Sequence, residues 1–191
     1  MRDLLKDVDF DGVVISGLPR TVETAEIVAE GRNLPVRLEP QLEEIRGENT
    51  LEIARDRILP DIAYAFWKAR MEGTGGGYRN GERFDAFFTR CHAGIEAILQ
   101  QEDWTSLLLV AHGGVNRAVL CWALGAGLHS FPVFEQDSCC LNIIDVDTDE
   151  AGAVVRSYIR AVNITPYDFP KRKHHATTLE GMAQRYLAQP A

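Results

Sequence analysis

Residues 106–111 read Ser-Leu-Leu-Leu-Val-Ala, an apolar run without polar alternation that stops at His112-Gly113-Gly114. A strand that is polar on neither side is covered on both faces, the situation of a strand inside a parallel sheet. Parallel neighbours need long crossover connections, usually helices. The chain after the two glycines has helical character through Leu124, which supplies one such helix. This one segment therefore points to a layered α/β fold rather than a helical bundle or a β-sandwich.

The same order of strand, turn and helix occurs near the start. Residues 12–16 (GVVIS) form a short β-rich run halted at Ser16-Gly17, Pro19 suits a first helical position, and Val22, Ala25, Val28 and Ala29 follow at helical spacing until Gly31. Residues 35–38 (PVRL) form another short strand, and residues 39–49 are polar and irregular. A helical stretch over 51–71 is bent or broken at Pro60, and the glycine-rich 73–81 is an exposed loop. From 82 to 101 the apolar residues Phe84, Phe87, Phe88, Cys91, Ile95 and Ile98 recur every three or four positions, a one-sided helix. Residues 139–146 and 153–162 flank a turn-rich DTDEAG and predict a hairpin at a sheet edge. The tail, 163–191, carries a capping-box pair, Thr177 and Glu180, before a short final helix. The expected architecture is a three-layer sandwich with a mostly parallel central sheet, one domain over 1–191, with neither an internal repeat nor a second domain.

Charge narrows the function classes. The 191 residues hold 20 Lys and Arg against 28 Asp and Glu, a net charge of −8. Such a chain lacks the electrostatic footprint of a nucleic-acid binder and is repelled by anionic membrane, so neither is an expected partner. An anion must be handled by a local cluster of positive groups. The longest mostly apolar stretch, 118–128, is interrupted by Gly125 and Gly127 and falls short of the ~20 residues a bilayer requires. The opening MRDLLKDVDFDG has acids where a secretory signal has basic and then apolar residues. Cys91, Cys121, Cys139 and Cys140 lie in apolar segments with no C-x-x-C pair, the pattern of buried thiols in a reducing cytoplasm; a vicinal redox pair at 139 and 140 is the competing reading. No Walker A motif, Gly-x-Gly-x-x-Gly or zinc-spaced Cys/His set occurs, so neither a nucleotide nor a metal cofactor is expected.

In an open α/β sheet, ligands collect beyond the carboxyl ends of strands, where loops enter helix N-termini. Two places fit. At VVIS-GLPR-TVETAE, Ser16 closes a strand and Arg20 lies in the first turn of the next helix; at LLLVA-HGG-VNRAVL, His112 closes a strand and two glycines let backbone amides approach a ligand. Free N–H groups and a positive helix end favour a phosphate or carboxylate, and a guanidinium grips an oxyanion through two parallel bonds. A plain turn with a hydrogen-bonded imidazole would also account for His-Gly-Gly. Arg20 is less neutral, because a cation in a first helical turn opposes the helix dipole unless an anion is near.

These residues, taken in order, carry a family pattern. Ser16-x-x-x-Arg20-x-x-x-Thr24-Ala25, Leu42-x-Glu44-Ile45, Gly81-Glu82 opening a helix, and the apolar strand into His112-Gly113-Gly114 resemble the histidine phosphatase superfamily (phosphoglycerate mutase-like) through about residue 162. The resemblance implies that a histidine attacks a phosphoryl group and that water then hydrolyses the phosphohistidine. It places His112 and Arg20 on the phosphoryl oxygens, Gly113 and Ser16 in the same phosphate pocket, and Glu44 as the acid that protonates the leaving oxygen. Glu43 competes with Glu44 for that role, and a solvated loop carboxylate is the plain account of either. Glu82 is expected to cap or brace its helix.

The pattern departs from the family at the front. The family opens on a strand ending in Arg-His-Gly, whose histidine is the nucleophile, and no Arg-His-Gly occurs in this chain. His92 falls in a helix, His129 in a Gly/Pro-flanked loop, and His174-His175 in a basic tail. The expectation is therefore an N-terminally incomplete domain whose missing strand leaves interior strand edges unpaired. Met1 would then be internal to a longer phosphatase acting on a small phosphorylated substrate in the cytoplasm, and the chain by itself would be inactive. The alternative is a non-catalytic protein that binds a phosphorylated ligand or a partner. A mutase fits less well, since Glu44-Ile-Arg46-Gly stands where the mutase branch has Glu-Arg-His-Tyr-Gly. A homodimer is an open expectation, and Arg46, Arg79 and Arg83 are either charge for an acidic substrate or surface residues.

Overall fold

The computed structural model describes residues 1–48, 54–71, 76–101, 104–167 and 176–189. Its centre is a parallel three-stranded sheet of β1 (Gly12–Ile15), β2 (Val36–Leu38) and β3 (Leu107–Val110) in the order β2-β1-β3. Val13 pairs with both Val36 and Leu108, and Ile15 with Leu38 and Val110. All four residues of β1 are buried, because a central strand has neighbours on both edges and layers on both faces.

The two-residue period of β1 divides the core. Val13 and Ile15 face α1 (Pro19–Val28), packing with Ala25, Val28, Leu5 and Leu108. Val14 faces the other way, into a larger cluster. That cluster is built from α3 (Phe84–Leu99) and α4 (Gly113–Leu124), with Phe84, Phe87, Cys91, Ile95 and Ile98 from the first and Val115, Ala118 and Cys121 from the second. Phe131, in the short turn Leu128–Val133, sets its ring edge-on to Phe66, Phe84, Phe87 and Phe88 at 5.0 to 6.3 Å, a geometry favoured by ring quadrupoles.

Proline 60 breaks its helical stretch as expected, but into three pieces. A 3-10 turn at Arg55–Arg57 is followed by a π turn at Leu59–Ala63 and then α2 (Trp67–Met71). Tyr64 donates to the carbonyl of Leu59 at 3.1 Å across the π turn, the wider spacing left where Pro60 lacks an N–H. The final helix, α5 (Thr178–Leu187), carries the expected capping box of Thr177 and Glu180 and lays Ala183 and Leu187 on Ile58, Ile62 and Ala63. Residues 73–75 of the expected loop and the His174-His175 pair lie outside the described residues.

Three expectations change. The hairpin forms, as β4 (Leu141–Thr148) and β5 (Val154–Ile164), but as a separate two-stranded sheet rather than on the edge of the parallel one. Strand β3 is not covered throughout: only Leu108 is buried, with its neighbours half-buried. The reason for both lies between them. A groove of about 540 Å³ separates β3 from β4, lined by Leu107 and Leu109 on one side and Leu141, Ile143 and Ile144 on the other. Ser106 accepts a hydrogen bond from Asp11 on the β1 side, so by alternation Leu107 and Leu109 turn their peptide groups toward the groove. Finally, Cys91 and Cys121 are buried, but Cys139 is exposed and Cys140 half-buried, since they precede β4 at a chain reversal where Cys139 has φ +58°. Among the described residues, no helix is long and apolar enough to cross a membrane.

Candidate active site

The carboxyl ends of β1 and β3 lie side by side, and their next residues meet. Ser16 Oγ is 2.7 Å from His112 Nε2, and the Arg20 Nε–H donates to His112 Nδ1 at 3.1 Å. Ser16 is also 3.1 Å from the hydroxyl of Thr21, which donates to the carbonyl of Leu18 at 2.7 Å. These bonds order the protons. A ring nitrogen that accepts from arginine carries no proton, so neutral His112 bears its hydrogen on Nε2 and donates it to Ser16. Ser16 then donates to Thr21, and Thr21 to the backbone. Thr21 is a member of this relay that the sequence motif left out; its one signal was a hydroxyl in the first turn after Pro19.

His112 and Ser16 are buried, whereas Arg20 is exposed. Burial together with the Arg20 charge holds the His112 imidazole down to about 4 from its ordinary 6.5. It is therefore neutral at physiological pH. Both of its nitrogens are engaged, so in this structure it holds the guanidinium by Nε. The terminal nitrogens of Arg20, which can take an oxyanion in parallel, hold no hydrogen bond among the described residues.

Glu44 comes from the irregular loop after β2 and reaches the same place. Its carboxylate accepts from the amides of Ile45 at 3.0 Å and Gly114 at 3.1 Å. One of the two glycine amides expected for a ligand is thus taken by Glu44, which leaves the Gly113 N–H at the front of α4. Gly114 is glycine for a steric reason: a Cβ there would collide with the Glu44 carboxylate. Burial raises the Glu44 carboxyl above the ordinary value, opposed by its two backbone donors and by the charges of Arg117 and Arg20. Its neighbour Glu43 instead pairs with Arg46 at 2.6 Å.

Two further arginines stand close by without having been marked in the sequence. Arg117 lies one turn into α4, only 4% exposed, where it donates to the carbonyl of Gly113 at 2.9 Å, stacks over Phe66 and approaches Glu135 at 3.4 Å. Arg90 of α3 grips Glu82 with two bonds of 2.6 and 2.8 Å. Glu82 therefore braces the Glu44 loop rather than its own helix; the N-cap of α3 is Arg83. Neither arginine could be assigned from sequence, since each also reaches a group distant along the chain, Arg117 the Glu135 carboxylate and Arg90 the carbonyls of Gln41, Glu43 and Glu44.

The other candidates divide. Arg83 pairs with Asp85 at the surface, and Arg79, in a left-handed conformation at φ +49°, lies over Tyr78 beside Gly47. His92 lies on α3 against Phe88, and His129 in the Leu128–Val133 turn, so neither joins His112. Among the described residues, no three His, Cys, Asp or Glu side chains gather to hold a metal ion.

Comparison with known proteins gives a consistent result. The family model of the histidine phosphatase superfamily (branch 1) matches residues 1–159. The adenosylcobalamin/alpha-ribazole phosphatase of Salmonella typhimurium is 31% identical over 148 residues, covering 76% of this chain and 72% of that protein. A probable phosphoglycerate mutase of Yersinia pestis is 27% identical over 135 residues, 70% of this chain and 62% of that one. Among solved structures, the alpha-ribazole phosphatase of Shigella flexneri superposes with a TM-score of 0.67 at 28% identity, over 85% of this chain and 78% of its own.

Proposed function

Because this chain belongs to branch 1 of the histidine phosphatase superfamily, we propose that it serves the hydrolysis of a small phosphomonoester through a phosphohistidine. Arg20 and the Gly113 amide hold the phosphoryl oxygens, while His112 and Ser16 fix the Arg20 guanidinium in place. Glu44 is the general acid. The observation that carries this reading is the convergence on one spot of Arg20, His112 and Glu44, from three separate segments.

The chemistry balances as two displacements. A histidine nitrogen attacks phosphorus as the ester P–O bond breaks, and Glu44 gives its proton to the departing oxygen. A carboxyl raised by burial keeps that proton available. Water then attacks the phosphohistidine, Glu44 takes up the proton released, and inorganic phosphate leaves. Positive groups facing the equatorial oxygens stabilise both transition states.

The attacking histidine is not assigned to any of these 191 residues. We assign it to an extended segment that pairs in parallel with the edge of β3 left unpaired among the described residues, in the groove facing β4. Such a segment would satisfy the peptide groups of Leu107 and Leu109, worth about 1–3 kcal/mol for each group otherwise left bare. It would also end beside His112, since parallel strands finish at the same end of the sheet. Leu5, Val8 and Phe10 line the same groove, which brings the N-terminal residues to its rim.

Hydrolysis of p-nitrophenyl phosphate and of alpha-ribazole 5'-phosphate tests the proposal. The 191-residue chain is expected to bind inorganic phosphate with negligible turnover, and a form extended upstream in the same reading frame to be active. In that form His112→Ala should lower kcat/KM for both substrates, and Glu44→Ala that for alpha-ribazole 5'-phosphate, by about 100-fold or more. An inactive extended form overturns the enzymatic reading. The absence of Arg-His-Gly beside an assembled anion site then favours the second reading, a non-catalytic protein that binds a phosphorylated ligand.

A further inference from the structure

The loop that carries Glu44 has no regular structure of its own: after the short turn Pro40–Leu42, residues 44–48 belong to neither helix nor strand. Yet the peptide groups of this loop converge on a single side chain. Arg90 donates from Nη1 to the carbonyls of Gln41 at 2.6 Å and Glu43 at 2.8 Å, and from Nη2 to the carbonyl of Glu44 at 3.3 Å. Its Nε and Nη2 also hold both oxygens of Glu82. A guanidinium has five N–H donors in a planar fork, and all five are used. The face of the fork lies 4.8 Å from the centre of the Phe87 ring, in the main core.

Glu82 completes the clamp. Its Oε2 accepts from the amide of Arg46 at 3.1 Å, and its own amide donates to the carbonyl of Arg46 at 2.6 Å. Gly81 sits so close to the carbonyl of Arg46 and the backbone of Gly47 that no Cβ would fit. The loop is thus fastened on both sides of Glu44, to a pair whose side chains are only 20% and 16% exposed.

We propose that Arg90, together with Glu82, is the positioning pair that aims the Glu44 carboxyl at the N-terminus of α4; the inference rests on the reading of Glu44 as the general acid. Arg90 touches no substrate. It fixes the backbone from which Glu44 reaches Gly114, and lysine cannot replace it, because a point charge with three donors cannot span three carbonyls and a carboxylate.

Two measurements test this, the first on the 191-residue chain itself. With glutamate labelled at Cδ, NMR follows the Glu44 titration, whose surroundings include Arg20, Arg117 and Tyr78. In Arg90→Lys the carboxyl should move toward water and its midpoint fall by about one pH unit, while phosphate affinity, set by Arg20, stays within twofold. An unchanged midpoint in a folded Arg90→Lys chain overturns the proposal. Should that variant fail to fold, Glu82→Gln, which keeps size and one acceptor oxygen, should give the same displacement, and its failure to do so is equally decisive.

The second uses leaving groups in the active form. Arg90→Lys should lower kcat by about tenfold or more for an alkyl phosphate, whose leaving oxygen needs a proton, and much less for p-nitrophenyl phosphate, which does not. A brace with a merely structural role would depress both alike, and equal losses overturn the assignment. The Glu44→Gln variant separates the two levels: if it too shows no leaving-group dependence, the general-acid reading fails, whereas the NMR result for Arg90 stands or falls by itself.

Discussion

Oε2 of Glu44 lies 3.1 Å from the amide nitrogen of Gly114, so a carboxylate from one loop sits on the first turn of the helix that follows His112. Helix N-termini attract anions through unpaired N–H groups and the helix dipole. Here the Gly114 amide is given to a protein carboxylate, while the Gly113 amide, one residue earlier, opens the same helix. In the proposed mechanism, acid and anion site would then be held by adjacent amides of one helix, which would couple their geometry directly.

This arrangement separates the two glycines. A Cβ at residue 114 would fall on the Glu44 carboxylate, whereas at residue 113 it would meet only the flexible end of Arg117 at 3.3 Å. Gly114→Ala should destabilise the fold by about 1–3 kcal/mol, read as a lower urea midpoint at unchanged slope. Gly113→Ala should cost less than half as much. Equal losses at the two positions would show that Glu44 is not seated as described.

The buried histidine and carboxyl should act on stability with opposite signs. His112 is held at about 4 when folded against an ordinary 6.5, so between those values the unfolded chain binds more protons and stability rises with pH. His112→Asn should flatten that rise. Glu44 is raised when folded above its ordinary 4.5, so above 4.5 the folded chain holds more protons and stability falls with increasing pH until Glu44 ionises. Glu44→Gln should remove that fall and leave the protein more stable at neutral pH. Urea unfolding at a series of pH values measures both, and slopes unchanged in either variant would contradict the assigned burial.

Arg20 should matter to ligand far more than to folding. Its side chain is exposed and its protein contact here is the Nε bond to His112. Arg20→Lys cannot make that bond and grip an oxyanion at once. Phosphate affinity by titration calorimetry should fall about tenfold or more, with stability changed by no more than about 0.5 kcal/mol. A variant that binds phosphate normally would remove Arg20 from the anion site.

Legibility followed the range of the interactions. Strands β1 and β3, helix α3 and the capping box at Thr177 were readable, because an unbroken apolar run, a 3.6-residue period and a local side chain-to-backbone bond each leave a pattern in neighbouring residues. Ser16, Arg20, Glu44 and His112 could be named through the family pattern, and their meeting at one place is reported by the structure. Thr21, Arg90 and Arg117 escaped, since an arginine on a helix looks the same in sequence whether it faces water or clamps a distant loop.

By itself the sequence determined the strand–helix units, the acidic balance that would confine any anion to a local cluster of positive groups, and the residues that could supply one. Only the tertiary structure decided which groups face which: that His112 spends both nitrogens on Ser16 and Arg20, that Glu44 takes the Gly114 amide, and that β3 and β4 stand on either side of an open groove. The physical reason is that periodicity records which side of an element is buried, whereas hydrogen-bond partners across the fold are chosen by three-dimensional approach. The apolar run at 106–111 fixed a strand made for the inside of a sheet. It took the folded chain to show that one edge of that strand is still unpaired among the described residues.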